Sequence, residues 1–464
     1  MAEAPQTIEQ ETVPEMRNSI VRFVCFIASL VAAYVCQARD ASRTVDLDLV
    51  WTGTRVRFDA IEAGGFVYVA YYDSDRWLTL ARVALADGAV QKVRLDSRFA
   101  GWDSHNYVSL AFDGQQRLHV SGNMHASQLV YFRSDQPLSI NAVAAPMAGR
   151  DEKQVSYPTF LHAANGDLLF FYRSGISGQG DWLINRWNGQ SWDRIGGPVF
   201  TKQSSFGHVS AYPSRFVRDS GGTYHVAIIW RKTINVESNF RVSYARTKDF
   251  VHWTDSNGKP IAAPVSPETG EMVDDTGENA GLLNNPQIAL DPAGSPVISY
   301  TKYGAGGTNG IIVASRKDNA WVVREVAHSP TLTKLEGRGT LPEAPSVEPV
   351  AFRTSGEVAI SFSFPGSHHF VLNLDPASLV PLGAPTAEVQ RAPAPKAATH
   401  GAPKLIEQVV PVRHADGSSA SPVGQLVWSA QGANRDLPPC TEERPTVCAP
   451  PPATLKLVIF TPTH

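Results

Sequence analysis

The sequence has 464 residues, of which 43% are hydrophobic and 18% are charged. This composition can bury a large core, which excludes a chain that is disordered over most of its length. Lysine and arginine number 41 against 44 aspartates and glutamates, a formal net charge of −3, whereas a nucleic-acid-binding protein would carry a clear basic excess. The 36 glycines and 33 prolines, with 10 Trp, 13 Tyr and 20 Phe, favour short strands joined by turns.

The first segment in chain order is a short apolar run over residues 19–38, SIVRFVCFIASLVAAYVCQA, which follows Arg17. A basic residue, a short apolar stretch and small residues at its end are typical of an export signal that is cleaved, here after Ala38. We therefore predict that residues 1–38 are a signal peptide with an N-terminal extension. The protein is then exported to the periplasm or the outside of a bacterial cell, with no stable membrane span after cleavage. An uncleaved membrane anchor is the alternative, although the run is short for a span.

Cleavage at that point removes Cys25 and Cys36 and leaves Cys440 and Cys448, in DLPPCTEERPTVCAPPP. Two cysteines eight positions apart in a proline-rich loop of an exported protein predict a disulfide. A pair of metal ligands is the alternative, but no histidine or further cysteine lies close to them in the sequence.

From about Val45 onward the sequence is rich in short β-strand segments such as FVYVAYYD, YVSLAFD and LLFFYRS. Turn signals separate these segments as in β-hairpins, and the turns begin at Asp113, Asn165, Gly221, Asp291, Ser355 and Asp416. Successive turns lie 52 to 70 residues apart, which suits four-stranded blades with insertions, and an early unit over 66–93 makes about seven. We predict an all-β fold, a seven-bladed β-propeller over residues 39–464, with a two-sheet sandwich as the alternative. A Pro/Ala-rich segment near 384–403 is predicted to be a linker before the closing blade.

Two histidines bracket one of the predicted hairpins. His105 lies on the loop that enters a strand, and His125 lies on the loop that leaves the next strand. Both therefore lie at the same end of one blade, where two imidazoles could orient an acidic group or transfer a proton. Two ordinary polar loop residues are the alternative. His119 lies in the middle of a strand and is predicted to be structural.

Tyr157 and Arg173 bracket the next hairpin in the same way, sixteen residues apart. A guanidinium fork suits a carboxylate, and a phenol can give or take a proton where a cation lowers its pKa. Taken alone, Arg173 would more often be a structural ion-pair residue and Tyr157 a core aromatic residue.

A third group of polar residues follows. Arg231 ends a strand at the same predicted rim, and Asn239 begins the next strand. Arg338, in the glycine-rich loop LEGRGTLPEAP, could reach a central site or be an exposed surface residue. The segment TKDFVHW looks like a degenerate Asp-box turn, which makes Asp249 and Trp253 structural.

This combination resembles the bacterial-neuraminidase-repeat (BNR-repeat) propellers that act as polysaccharide lyases, such as ulvan lyases and enzymes that cleave rhamnosyl-glucuronate linkages in plant gums. The resemblance extends from Gly101 to about Trp321. Its motifs are DSHN with His105, GNMH with His125, SYPTF with Tyr157 and FFYRSG with Arg173. The segment WRKTINVESNFRVSYA is also similar to the family's Trp-Arg strand and its following Asn. Lys232 is a departure, since an acidic residue often follows the Trp-Arg pair in the family.

The resemblance implies a lyase that cleaves rhamnose–uronate linkages, with glucuronate or iduronate, by β-elimination to a 4,5-unsaturated uronyl product. Such a reaction must neutralise the uronate carboxylate, remove the C5 proton and protonate the leaving oxygen at C4. Arg173 suits the carboxylate. By resemblance, His105 and Tyr157 share the acid and base roles, in an order that the sequence leaves open, and His125 helps to bind the carboxylate.

An acidic polysaccharide or oligosaccharide is therefore the expected substrate, and we expect a monomer that requires no cofactor. The predicted substrate-binding residues are Arg231, Asn239, Arg338, Asn106 and Trp102. A structural calcium or other divalent ion could bind in MVDDTGENAG, through Asp274, Asp275 and Glu278, although a solvated acidic loop is the alternative.

Two other functions fit a propeller of this kind. The first is a sialidase-type glycoside hydrolase, which needs a carboxylate acid/base, and Asp103 is the main carboxylate near the predicted rim. The second is a non-catalytic glycan-binding propeller, in which Trp102, Trp230 and the arginines offer a stacking and charged surface.

Overall fold

The computed structural model describes Met1 and residues 41–388, 405–417, 421–440 and 448–460. Residues 2–38 of the predicted signal segment, with Cys25 and Cys36, and most of the predicted linker near 384–403 lie outside the described residues. Within these ranges the chain forms strands and no α-helix, with a 3₁₀ turn at Val236–Ser238. None of the helical segments described is long and apolar enough to cross a membrane.

The strands are short and follow one another closely. The first nine are β1 (Ala41–Val50), β2 (Asp59–Ala63), β3 (Phe66–Tyr72), β4 (Trp77–Ala84), β5 (Val90–Arg98), β6 (Val108–Phe112), β7 (Leu118–Gly122), β8 (Tyr131–Ser134) and β9 (Ala142–Ala144). The next are β10 (Val155–His162), β11 (Leu168–Ile176), β12 (Gln179–Trp187), β13 (Trp192–Arg194), β14 (Gln203–Ser204), β15 (Gly207–His208), β16 (Ser210–Pro213), β17 (Val217–Arg218), β18 (Tyr224–Arg231), β19 (Asn239–Thr247), β20 (Trp253–Thr254), β21 (Pro260–Ile261) and β22 (Glu271–Asp274). The last are β23 (Gln287–Leu290), β24 (Pro296–Tyr303), β25 (Asn309–Lys317), β26 (Ala320–His328), β27 (Ser346–Val347), β28 (Ala351–Phe352), β29 (Val358–Ser363), β30 (His369–Leu374), β31 (Thr386–Glu388), β32 (Leu405–Pro411), β33 (Arg413–His414), β34 (Gly424–Gln431) and β35 (Ala453–Phe460).

Most sheets are antiparallel runs in which strands close in sequence pair with each other. Four of these runs are β2-β3-β4-β5, β6-β7-β8-β9, β23-β24-β25-β26 and β27-β29-β30-β31. An eleven-stranded sheet holds two more, β10-β11-β12-β13 and β16-β18-β19-β20, which are joined by one parallel residue pair, Gly180 with Ser210. The all-β prediction is confirmed, and the described residues form too many separate sheets for a two-sheet sandwich.

The first and last described strands meet in one sheet of order β1-β35-β34-β32, in which β1 and β35 are antiparallel. The segment after β32 continues into β33, which pairs in parallel with β2. Strand β1 thus completes the sheet that holds β32, β34 and β35, and β33 links that sheet to the one that contains β2. Fewer strand edges are therefore left unpaired. The predicted disulfide between Cys440 and Cys448 is confirmed, with Cα atoms 5.0 Å apart.

The core lies between neighbouring sheets. Strand β18, with the sequence YHVAIIWR, is buried at every position. Sheets cover both of its faces, which agrees with its largely apolar sequence. Phe58, just before β2, stacks on Trp428 of β34 with ring centroids 4.5 Å apart. The structural interpretation of TKDFVHW is also confirmed, since Trp253 is buried and Asp249 accepts hydrogen bonds from two backbone N–H groups of its turn.

Candidate active site

A cavity of about 680 Å³ opens between the first strands of several antiparallel runs. His105 precedes β6, Tyr157 lies in β10, Tyr212 lies in β16 and Asn284 precedes β23, and all four line this cavity. The fold therefore brings together polar side chains that are far apart in the sequence, because the first strands of different runs face one another.

One carboxylate holds both of the predicted histidines. Asp103 Oδ1 lies 2.7 Å from Nδ1 of His105, and Oδ2 lies 2.6 Å from Nδ1 of His125. The two imidazoles stack with centroids 4.2 Å apart. Burial acts to raise the pKa of Asp103, but the hydrogen bonds from His105 and His125 outweigh it and hold the pKa well below its usual value. Because an ionised carboxylate only accepts hydrogen bonds, each Nδ1 atom carries a proton.

This arrangement determines what the histidines can do. A neutral imidazole that is protonated at Nδ1 has a lone pair at Nε2, which accepts a proton. Burial lowers the pKa of His125 below its usual value, and the opposing effect of Asp103 is smaller. His125 is thus neutral at pH 7, and its Nε2 accepts rather than donates. The carboxylate-binding role that the resemblance implies for His125 would require a second proton on the ring.

Tyr157 lies beside both imidazoles, with its ring centroid 5.7 Å from each. The ring stacks on Trp182, and the guanidinium carbon of Arg173 lies 4.8 Å from its centroid. Tyr157 has a φ of 60°, in the left-handed region, at a shift in the register of β10. Such a conformation costs about 1–3 kcal/mol and persists only where the surroundings impose it. The irregular strand thus directs this phenol to the cavity.

A second tyrosine, Tyr212, connects two arginines. Its hydroxyl accepts hydrogen bonds from Nη1 of Arg173 at 3.3 Å and from Nη1 of Arg231 at 3.2 Å, and Ser177 Oγ is 2.8 Å away. Burial acts to raise the pKa of Tyr212, but the charges of Arg231 and Arg173 outweigh it and lower the pKa below its usual value. For Tyr157, burial dominates over Arg173 and raises the pKa. Tyr157 therefore keeps its proton more readily than Tyr212.

Tyr212 is not among the residues predicted from the sequence, although a signal for it is present. The dipeptide Tyr-Pro occurs at 157–158 and again at 212–213, each time in the first strand of a run. This repetition marks Tyr212 as the counterpart of Tyr157 in the next run.

Arg173 is fully buried, with 0% of its surface exposed, and lies behind Tyr157 and Tyr212. Its Nη2 donates to Ser156 Oγ at 3.2 Å, and its Nε has no hydrogen-bond partner among the described residues. No described carboxylate pairs with it, so it is not the structural ion-pair residue that we considered as an alternative. A buried guanidinium without a carboxylate provides a positive charge for an acidic ligand.

Asn239 and Asn284 hold Arg231. Nε of Arg231 donates to Asn239 Oδ1 at 2.8 Å, and Nη2 donates to Asn284 Oδ1 at 2.6 Å. Asn239 in turn donates to the backbone carbonyl of Leu282 at 2.7 Å and is 1% exposed. Asn239 therefore positions Arg231, whereas Asn284, which was not predicted from the sequence, faces the cavity.

Three predicted substrate-binding residues do not line this cavity. Arg338 is exposed on a loop that contacts Arg435, and Trp102 packs against the guanidinium of Arg76, 5.4 Å from the ring centroid. Asn106 Nδ2 donates to the carbonyl of Asp103 at 3.0 Å and so shapes the loop that carries His105. A contact of these three with substrate stays a prediction. His119 is fully buried, as predicted for a structural residue.

The three acidic residues considered for calcium do not converge. Each carboxylate has its own basic partner: Asp274 with Lys302 at 2.6 Å, Asp275 with Arg241 at 3.0 Å and Glu278 with Lys232 at 2.6 Å. This loop therefore does not fit a calcium site. In the described parts of the chain, potential metal ligands cluster at Asp103, His105 and His125, where the carboxylate already accepts two N–H groups.

The family is shown by the sequence itself. Residues 66–329 match the model of the BNR repeat-containing family. The match covers more than half of the chain. The protein therefore belongs to the BNR repeat-containing family. No curated protein matches the sequence significantly.

Solved structures show the same fold. The polysaccharide lyase Uly1 aligns with a TM-score of 0.52 at 12% identity, over 87% of this chain and 90% of that chain. A PL25 ulvan lyase aligns with a TM-score of 0.54 at 16% identity, over 83% of this chain and 93% of that chain, and has also been solved bound to -[GlcA(1-4)Rha3S]-. At these identities the likeness is one of fold.

Proposed function

We propose that this protein is a polysaccharide lyase that cleaves rhamnose–uronate linkages by β-elimination and leaves a 4,5-unsaturated uronyl end. The observation that carries the proposal is the pair of imidazoles on Asp103, which face Tyr157 with Nε2 free of any described hydrogen-bond partner. Beside them lie Arg173 and Arg231, two guanidiniums without a described carboxylate partner. A proton acceptor, a proton donor and positive charge are the three requirements of the reaction.

The positive charge favours an acidic sugar. Removing the C5 proton of a uronate pushes charge onto its carboxylate, and Arg173 and Arg231 stabilise that charge from behind the wall formed by Tyr157 and Tyr212. Arg173 has no exposed surface, so its charge and its hydrogen bond to Tyr212 are the means by which it acts. The direct clamp expected from the sequence would need Tyr157 or Tyr212 to move.

The proton transfers follow from the protonation states. Nε2 of His105, whose other nitrogen is bonded to Asp103, accepts the C5 proton. Tyr157, whose pKa is raised by burial, is protonated and gives its proton to the leaving oxygen at C4. His125 stacks on His105, and its Nε2 atom is also a proton acceptor. This assignment makes His105 the base and Tyr157 the acid.

Among the described residues, the carboxylates in or beside this cavity already have partners, including Asp436, whose Oδ2 lies 3.8 Å from Nδ1 of His105 and accepts the backbone N–H of Thr340. Asp103 is held by two imidazoles, and Asp59, which lines the cavity, pairs with Arg413 at 2.5 Å. A sialidase-type reaction needs a carboxylate that exchanges protons with the glycosidic oxygen or with water.

We further propose that the antiparallel runs are the blades of a seven-bladed propeller. The six runs described above and the sheet that contains β1 and β35 make seven, and the pairing of β1 with β35 is the kind of contact that closes a ring. We also propose that the protein is exported, is a monomer and requires no cofactor.

The test is the ultraviolet absorbance of the unsaturated product when purified protein is supplied with ulvan or deproteinised gum arabic. We expect a steady rise for the wild-type protein. No rise on any uronate polymer by folded protein would reject the proposal. New reducing ends without a double bond would favour a hydrolase, and binding without any product would favour a glycan-binding module.

A further inference from the structure

Three arginines that have no part in the proposed reaction line the same cavity. Arg57 precedes β2, Arg215 follows β16 and Arg413 lies in β33. The cavity is continuous from these arginines to His105 and Tyr157. A single ligand can therefore contact both groups of residues.

The three guanidiniums have one carboxylate between them. Arg413 forms a two-pronged pair with Asp59, with Nε to Oδ1 at 3.2 Å and Nη2 to Oδ2 at 2.5 Å. In the described ranges, the side chains of Arg57 and Arg215 have no hydrogen bond or ion pair, and both are exposed to the cavity. The group thus has an excess of two positive charges over the charge of Asp59.

These charges act on one another. Although Arg215 is open to the cavity, the protein around its guanidinium withdraws it from bulk water, which lowers its pKa below the usual value, and the charges of Arg57 and Arg413 lower it further. Burial also raises the pKa of the neighbouring Tyr107 to about 12, against the opposing effect of Arg57 and Arg215. Unpaired like charges in a cavity destabilise the empty protein, whereas a bound anion would remove that cost.

We propose that Arg57 and Arg215 form a second anion-binding site, which takes an oxyanion substituent of the ligand, a sulfate ester or a carboxylate. Guanidinium forks bind both groups through paired hydrogen bonds. The polymeric source of the anion rests on the proposed function. One oligosaccharide would place its reacting uronate at Tyr157 and a second acidic group between Arg57 and Arg215.

The first experiment needs no turnover. Calorimetric titration of the full chain with sodium sulfate and with sodium glucuronate, against sodium chloride of equal ionic strength, measures anion binding directly. We expect wild-type protein to bind at least one of these anions and Arg57→Gln and Arg215→Gln to bind it about tenfold more weakly. Arg218→Gln is the matched control, since Arg218 is exposed and does not line the cavity, and it should bind as the wild type does.

Folding is checked by thermal unfolding without added anion. Because each substitution relieves repulsion, the midpoint should stay the same or rise, and sulfate should raise it more in the wild type than in either variant. Stronger binding of sulfate than of glucuronate identifies a sulfate ester as the ligand group, and the reverse order identifies a carboxylate.

Kinetics separate this inference from the proposed function. On a polymer that carries the identified group, Arg215→Gln should raise KM about tenfold and change kcat little. Anion binding that is lost in the variants supports the second site even if no polymer is cleaved. Equal anion affinity in the wild type and both variants overturns the second site, even if the protein is an active lyase.

Discussion

Asp103 and His125 share a hydrogen bond of 2.6 Å between Oδ2 and Nδ1, and the other oxygen of the same carboxylate binds His105. One side chain thereby sets the tautomer of two stacked imidazoles. Asp103 is a positioning residue in this arrangement, because it acts on substrate through the histidines.

Replacing Asp103 by Asn should lower kcat about 10²–10⁴-fold, the range of a lost general base. The substitution replaces one carboxylate oxygen with an NH2 donor, which cannot accept the Nδ1–H that faces it, so one imidazole loses the hydrogen bond that sets its tautomer. The measurement is the initial rate of absorbance increase on ulvan or gum. Asp75→Asn, at a carboxylate that is 61% exposed, is the control and should keep the wild-type rate. An Asp103→Asn rate within threefold of wild type would contradict the assignment.

Tyr157→Phe should abolish turnover, with a loss of at least about 10²-fold, because it removes the proton donor. The Tyr157 hydroxyl makes no hydrogen bond to the described residues, so the free energy of unfolding should change by less than about 1 kcal/mol. Tyr131→Phe gives the opposite pattern, since that hydroxyl bonds to buried His119 at 2.8 Å: lower stability with retained activity. Rates and denaturant unfolding of both variants provide the test.

Arg173→Ala should also abolish turnover while the protein stays folded, and it should raise the pKa of Tyr212. The positive charge of Arg173 is one of the two that lower that pKa, and its removal favours the neutral phenol. Titration of tyrosinate absorbance follows this change directly. Arg186→Ala, at a residue that is 52% exposed, should leave both the titration and the rate unchanged. A near-wild-type rate in Arg173→Ala would reject its role.

The pH profile should report the histidines. Burial lowers the pKa of His125 from its usual 6.5, and a second proton on this ring, which stacks on His105, would place a positive charge beside the proposed base. kcat/KM should therefore fall where His125 takes up that proton, at a pH below 6.5, and should be level through neutral pH. The unfolded chain binds this proton more readily, so the free energy of unfolding should fall as pH drops below about 6.5. Asp103→Asn removes a charge that raises the pKa of His125 and should move the acid limb to lower pH. An acid limb that starts above pH 7 would contradict this.

The site could be predicted in part because hairpins are local. His105 with His125, Tyr157 with Arg173, and Arg231 with Asn239 each bracket one turn, and the turn residues are visible in the sequence. Their resemblance to known lyases then indicated which side chains mattered. The all-β fold followed from the same turns and from strands such as β18.

Contacts between sheets could not be predicted from the sequence. Tyr212 accepts a hydrogen bond from Arg173 across two runs, and Arg57 and Arg215 line one cavity although they are more than 150 positions apart in the sequence. Neither arrangement leaves a spacing pattern, because the approach of one sheet to another depends on the packing of the whole core. The burial of Arg173 behind two tyrosines and the exposure of Arg338 are consequences of that packing.

The pairing of β1 with β35 has a consequence for how the molecule forms. Ala41 is paired with Phe460, so the earliest described strand is without its partner until β35, about 400 residues later, has been synthesised. Closing a loop of that length is entropically costly and makes folding slow. The other runs can form from neighbouring strands as they emerge, whereas the pairing of β1 must wait for β35. The strands that form the cavity walls can therefore assemble before β1 pairs with β35.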